Sequence, residues 1–235
     1  MKKAFTMIEL VFVLVVVGII TAMIAPNFQE SRLKEAANQV IGHIRYTQHL
    51  AMMDDKFSTS ENFWFKHRWT IRFVQNLVYT NLNCPNATYN DIWSYMIYSN
   101  TACHSAGCTT NPNASEIAHS PVDINHLLTG GYDNDLCIDN ADNAVNQQVT
   151  NTMRLGEKYG IKSISFSGGC RSDVKYISFD NFGRPFNSFP SDAPYEQASP
   201  GWHKLLTSPC DINISDGTDS VIIAIEPETG YAHIL

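Results

Sequence analysis

Lys2-Lys3-Ala4-Phe5-Thr6-Met7-Ile8-Glu9-Leu10 opens the chain, and an uncharged run rich in Val, Leu and Ile continues to Ala25. Two cations and one small residue separate Met1 from Phe5. A single carboxylate, Glu9, stands inside the start of the apolar run. A secretory signal peptide places its small-residue cleavage site after a shorter apolar region. Here the small residue comes first, so a cut after Ala4 would remove a charged leader and leave the apolar helix in place. Counted from Phe5, residues 5–25 approach the roughly 20 residues that a bilayer core requires. This predicts a membrane half of a helix, and a carboxylate at that depth points to function because it is costly to bury there.

The apolar pattern continues past Pro26. Phe28, Leu33, Ala36, Ala37, Val40, Ile41, Ile44 and Ala51 recur at three- and four-residue spacing, with Glu30, Arg32, Lys34, Glu35 and Gln39 mostly on the other side. That is one stripe of an amphipathic helix. Pro26 removes one backbone hydrogen bond and kinks a helix without having to end it. The expectation is one helix of about 75 Å over residues 5–54, its first half in a membrane or filament and its second half laid on a globular head.

The order of charged leader, small residue, Phe-Thr-Met-Ile-Glu and apolar helix resembles the leader of type IV pilins and type II secretion pseudopilins. Family members usually carry Gly at the place of Ala4 and often Leu at the place of Met7. The resemblance implies cleavage between Ala4 and Phe5 by a prepilin peptidase and N-methylation of Phe5. It also implies assembly with other pilins or pseudopilins on an inner-membrane platform. Glu9 would be the assembly carboxylate, meeting the new amine of a neighbouring subunit. The implied location is a bacterial inner membrane, crossed once, with the C-terminal head in the periplasm. The domains so read are a leader (1–4), a transmembrane half (5–25), an amphipathic half (26–57) and a head (58–235).

The head reads as an antiparallel sheet, which makes the whole an α+β chain with a pilin-like long helix on one sheet. Strands are expected over 69–79, 92–98, 161–167 and 174–180, the last two paired with each other. A terminal hairpin is expected at 220–226 and 231–235 around Pro227-Glu228-Thr229-Gly230. Residues 99–151 are rich in Asn, Thr, Ser, Asp and Gly and read as a long excursion of loops, with a short helix near 124–128. The Phe-Asp-x-x-Gly-Arg-Pro segment at 179–185 and the Pro-x-Thr-Gly hairpin are similar to those of H-type minor pseudopilins.

The formal net charge of −7 makes nucleic acid an unfavourable partner. The loose basic clusters are Lys66-His67-Arg68 and residues 171–175. Six cysteines follow the apolar run: Cys84, Cys103, Cys108, Cys137, Cys170 and Cys210. In an oxidising compartment an even count reads as disulfides, at least two here, with Cys103–Cys108 a local candidate. Many pairings remain open. Cys103, His104, Cys108 and His119 match no common zinc spacing. Asp133, Asp135, Asp139 and Asp142 are a weak calcium candidate, since the run lacks the Gly and terminal Glu of an EF-hand loop. Asn86, Asn113 and Asn213 head glycosylation triplets, which in the bacterial context that the resemblance implies are usually chance matches.

No nucleophile turn, His-Glu-x-x-His or phosphate-binding glycine loop occurs, so no enzyme and no required cofactor is expected. The function expected is a membrane-anchored minor pilin or pseudopilin, a structural subunit of a pilus or secretion pseudopilus. The alternative is a tip-located minor pilin that binds DNA or a surface. The same leader and helix serve pilus and secretion systems alike.

Overall fold

The computed structural model describes residues 7–75, 93–101, 112–131, 149–187, 197–198 and 202–235. The first element is α1, Met7–Met53. From Leu33 onward the spaced apolar residues form its buried face: Leu33, Ala36, Ala37, Val40, Ile44 and Ala51 are each almost fully enclosed. Side chains at three- and four-residue spacing share one face of a helix, so one stripe suffices to hold α1 on the head. The alanines are short enough to let strand side chains approach the helix closely. Each larger aliphatic on the stripe contributes about 1.5–3 kcal/mol by leaving water.

Ten short strands follow among the described residues. β1 (Trp69–Gln75), β2 (Trp93–Ser99), β4 (Tyr176–Phe179) and β5 (Pro185–Phe186) form one antiparallel sheet in the order β2-β1-β4-β5. A second antiparallel sheet has the order β10-β9-β8-β3, from β3 (Ser163–Gly168), β8 (Cys210–Ser215), β9 (Ser220–Ile225) and β10 (Ala232–Ile234). β6 (Gln197–Ala198) and β7 (Trp202–His203) make a separate small ribbon. A five-residue helix, α2 (Leu155–Tyr159), closes at Gly160.

α1 lies against strands of both sheets, and the apolar residues of helix and sheets merge into one core. Phe73 of β1 joins the two sheets. Its ring stacks on Tyr95 of β2 at 5.5 Å and meets Phe166 of β3 edge-on at 5.8 Å.

Four expectations are overturned. The described residues do not support a helix with a membrane half, nor with it the single-pass inner-membrane location. Among the described residues no helix is long and apolar enough to cross a membrane. Within the described part of α1 a carboxylate, Glu9, stands in the first turn, and from Arg32 the helix is charged again. The single sheet is replaced by two, so the pilin-like plan of one helix on one sheet does not describe this head. The residues expected to pair as consecutive strands fall in different sheets. β3 pairs with β8, and β4 pairs with β1 and β5. The expected helix near 124–128 is a turn, closed by the His126 amide donating to the Asp123 carbonyl at 2.9 Å.

The parting of β3 from β4 has a local cause. Cys170 and Cys210 form a disulfide, and both are buried. The Gly169 amide donates to the Pro209 carbonyl at 2.7 Å, which draws the end of β3 onto the start of β8. A Cβ at Gly169 would lie 2.2 Å from the Ser208 carbonyl oxygen, so only glycine fits there.

The bridge spans a sequence separation of 40 residues, for which chain entropy gives about 4 kcal/mol of stabilisation. Replacing both Cys170 and Cys210 by Ala should therefore lower unfolding stability by about 3–4 kcal/mol in urea titrations of the oxidised chain. A loss below about 1 kcal/mol would show that the bridge is not what holds this turn.

Candidate functional site

Beside its buried stripe, α1 sends polar side chains into the head. The Gln39 amide donates to the Tyr95 hydroxyl at 2.7 Å and to the Thr152 carbonyl at 2.8 Å, and it accepts from the Tyr159 hydroxyl at 2.6 Å. One turn on, His43 Nδ1 lies 2.7 Å from the same Tyr95 hydroxyl. Burial pushes the His43 imidazole down to about 4. It is therefore neutral at pH 7, and Nδ1 accepts the Tyr95 proton. Burial likewise holds the Tyr95 phenol far above its ordinary range, with the Gln39 hydrogen bond opposing. Neither group can exchange a proton usefully near neutrality, so the cluster fixes position and is not set up for acid–base catalysis.

Two turns of the head meet α1 at Gln48. Its amide donates to the Gly183 carbonyl at 2.8 Å and to the Thr229 carbonyl at 2.6 Å. The first turn is shaped by buried Asp180, which accepts from the amides of Phe182 at 3.0 Å and Arg184 at 2.9 Å and from Arg184 Nε at 2.8 Å. The second is the β9–β10 hairpin, where a Cβ on Gly230 would sit 2.5 Å from Gln48 Nε2 and 2.6 Å from the Gly183 carbonyl oxygen. The Phe-Asp-x-x-Gly-Arg-Pro and Pro-x-Thr-Gly segments are therefore the two halves of one clamp on α1. Arg45 adds a bond of 2.8 Å to the Ala232 carbonyl. Rotation or sliding of α1 would break all of these at once.

The other end of α1 is bare. Every described side chain from 7 to 21 is exposed, on all faces of the helix, and nearly all are apolar. Single exposed aliphatics are ordinary, but a continuous apolar column is a contact surface. Glu9 lies on its first turn and is exposed.

Ala4 and Phe5 lie outside the described residues, as do Cys84, Cys103, Cys108, Cys137, His104, Asp133, Asp135, Asp139 and Asp142. Cys170 and Cys210 are paired with each other. His119 Nδ1 lies 2.7 Å from the Ile124 carbonyl oxygen and serves its own loop. Among the described residues no group of His, Cys, Asp and Glu is arranged to hold a metal ion.

Lys66, His67 and Arg68 are buried, which withdraws them from any polyanion in solvent. Arg171 forks onto Asp173 at 2.7 and 3.1 Å, and Lys175 donates to the Ser172 carbonyl, so the second basic cluster is partly neutralised. Gln39 stands on the expected polar side of the helix with no further role read into it, and His43 and Gln48 belong to no motif. They occupy the polar side of an amphipathic helix, where the pattern alone predicts solvent.

The neutral His43 has a consequence for acid stability. A histidine whose folded value lies below its ordinary 6.5 favours folding above that pH and loses the contribution as pH falls towards about 4. Relative to His43→Gln, the wild-type chain should lose up to about 3 kcal/mol between these limits in denaturant titrations. Parallel curves for the two proteins would show that the imidazole is not held neutral.

Comparison of the chain with family models, curated proteins and solved structures finds no match to any of the three.

Proposed function

We propose that this chain is a filament subunit, a minor pilin or pseudopilin that assembles through the exposed first turns of α1. The observation that carries the reading is the bare apolar column at 7–21, with Glu9 on its first turn, on a helix whose other end is clamped to a folded head. An apolar helix exposed on every side needs a cover from outside the monomer. The cover assigned here is the matching helices of neighbouring subunits, packed side by side in a filament core.

In such a core a carboxylate is expensive unless it is paired. The partner assigned to Glu9 is the amine created when a prepilin peptidase cuts between Ala4 and Phe5. That amine belongs to an adjacent subunit, so the pair fixes the axial offset between subunits. The role is structural: α1 transmits position from the core to the head, and the clamp at Gln48 makes the transmission rigid.

Two measurements test the reading. In a host with a prepilin peptidase, intact mass should show loss of Met1 to Ala4 and one methyl group on Phe5. Glu9→Val should leave the head folded and the leader cleaved while lowering co-purification with partner subunits at least about tenfold, the loss expected for a desolvated charge pair. A retained leader, or wild-type co-purification of Glu9→Val, would contradict the proposal.

A further inference from the structure

α1 and α2 enclose a cleft of about 490 Å³ at the end of the head nearest the bare column, lined by Arg32, Glu35, Asn151, Arg154, Glu157, Lys158 and Tyr159. Its charge runs against that of the chain. Three cations face two carboxylates there, whereas the whole sequence carries −7. Arg154 is only 9 % exposed. Its Nε donates to the Gly130 carbonyl at 3.2 Å, which fixes the guanidinium at the cleft wall, and its Nη1 reaches Glu157 at 3.4 Å. Arg32 and Lys158 are exposed and have no ion-pair partner among the described residues. The cleft thus holds unspent positive charge on a rigid frame.

The opposite end of the head has the complementary character. There α1 ends without a basic residue in its last turn, so the negative end of its dipole is not offset from within the helix. Asp55 and Glu228 are exposed, and Asp54 is partly so. Met52, Met53, Phe57 and Phe182 are exposed beside them. Lys56 is tied to Asp54 and Arg184 to Asp180 at 2.8 Å, and Arg68, which lines the same pocket as Asp54 and Asp55, is buried, so the exposed carboxylates of Asp55 and Glu228 keep this surface acidic.

The two ends stand about 33 Å apart along α1, from Arg32 to Asp54 at 1.5 Å per residue. That is several Debye lengths at physiological salt, so they do not compensate each other within one molecule. Between two copies they can.

We infer that the cleft of one subunit receives the acidic, apolar-rimmed end of a second copy, around Asp55 and Glu228, in a head-to-tail contact. A head-to-tail contact is heterologous and propagates, which is what a filament requires and a closed dimer does not. This inference rests on the filament-subunit reading and adds to it an axial contact between heads.

Charge exchange tests it with the full chain, by sedimentation. One variant carries Arg32→Glu and Lys158→Glu, and the other carries Asp55→Lys and Glu228→Lys. Each alone sets like charges against each other and should self-associate about tenfold or more weakly than wild type. An equimolar mixture restores opposite charges at every junction and should recover wild-type association. As a check independent of the reversals, added salt should weaken wild-type association but leave the neutral Arg32→Gln, Lys158→Gln protein nearly unaffected. Variants that associate like wild type, or a mixture no better than its components, would overturn the head-to-tail contact while leaving the filament reading standing. A wild-type chain that never self-associates would likewise overturn the contact, whereas wild-type co-purification of Glu9→Val with partner subunits would remove the filament reading.

Discussion

The packing of one face of α1 against two sheets at once is the constraint on which the rest of the molecule depends. Leu33, Ala36, Ala37, Val40, Ile44 and Ala51 belong to a core that also takes Ile71 and Phe73 from the first sheet and Ile212 and Ile225 from the second. Neither sheet has a complete apolar core without the helix. β1, β8 and β9 each turn apolar side chains towards it, and the helix answers with a single buried stripe. Short side chains at Ala36, Ala37 and Ala51 are what allow strands from both sheets to reach the same helix.

Apolar packing is not directional and would tolerate small rotations of α1. The polar contacts are directional. Gln39, His43, Arg45 and Gln48 bond to Tyr95, Thr152, Tyr159, Ala232, Gly183 and Thr229. Each partner sits where a shift of one residue would leave a group without its bond, at a cost of about 1–3 kcal/mol if buried. The apolar stripe supplies the affinity of helix for head, and the polar row supplies the register. A fixed register is what gives the bare half of α1 a defined direction relative to the head. Within the filament proposal that direction sets how heads are arrayed around a core of helices.

Much of this was legible in the chain, and the gaps have physical causes. The stripe was visible because three-and-four spacing survives any tertiary context. The terminal hairpin was visible because Pro227 to Gly230 is a strong local turn, and β9 and β10 do pair across it. The pairing of β3 with β8 was not visible, because sequence neighbours are the usual partners and only the bridge from Cys170 to Cys210 says otherwise. β8 itself alternates Cys210, Ile212 and Ile214 inward, a period of two that short length and intervening Asp and Asn disguise. The membrane half is the expectation that the described residues do not support: among them no helix is long and apolar enough to cross a bilayer. Gln48 and Arg154 were missed for one reason. Polar residues on an amphipathic pattern look alike whether they face water, a turn or a cleft.

In the filament proposal residues 7–21 of α1 are covered by the same segment of neighbouring subunits. A photo-crosslinking amino acid placed at Leu14, on the bare column, reads this directly when the chain is assembled with its partners. Mapped adducts should fall on the N-terminal helices of adjacent subunits, within the stretch that follows their own Glu9 equivalents. Adducts confined to head residues, or the absence of any protein adduct from an assembled filament, would contradict it.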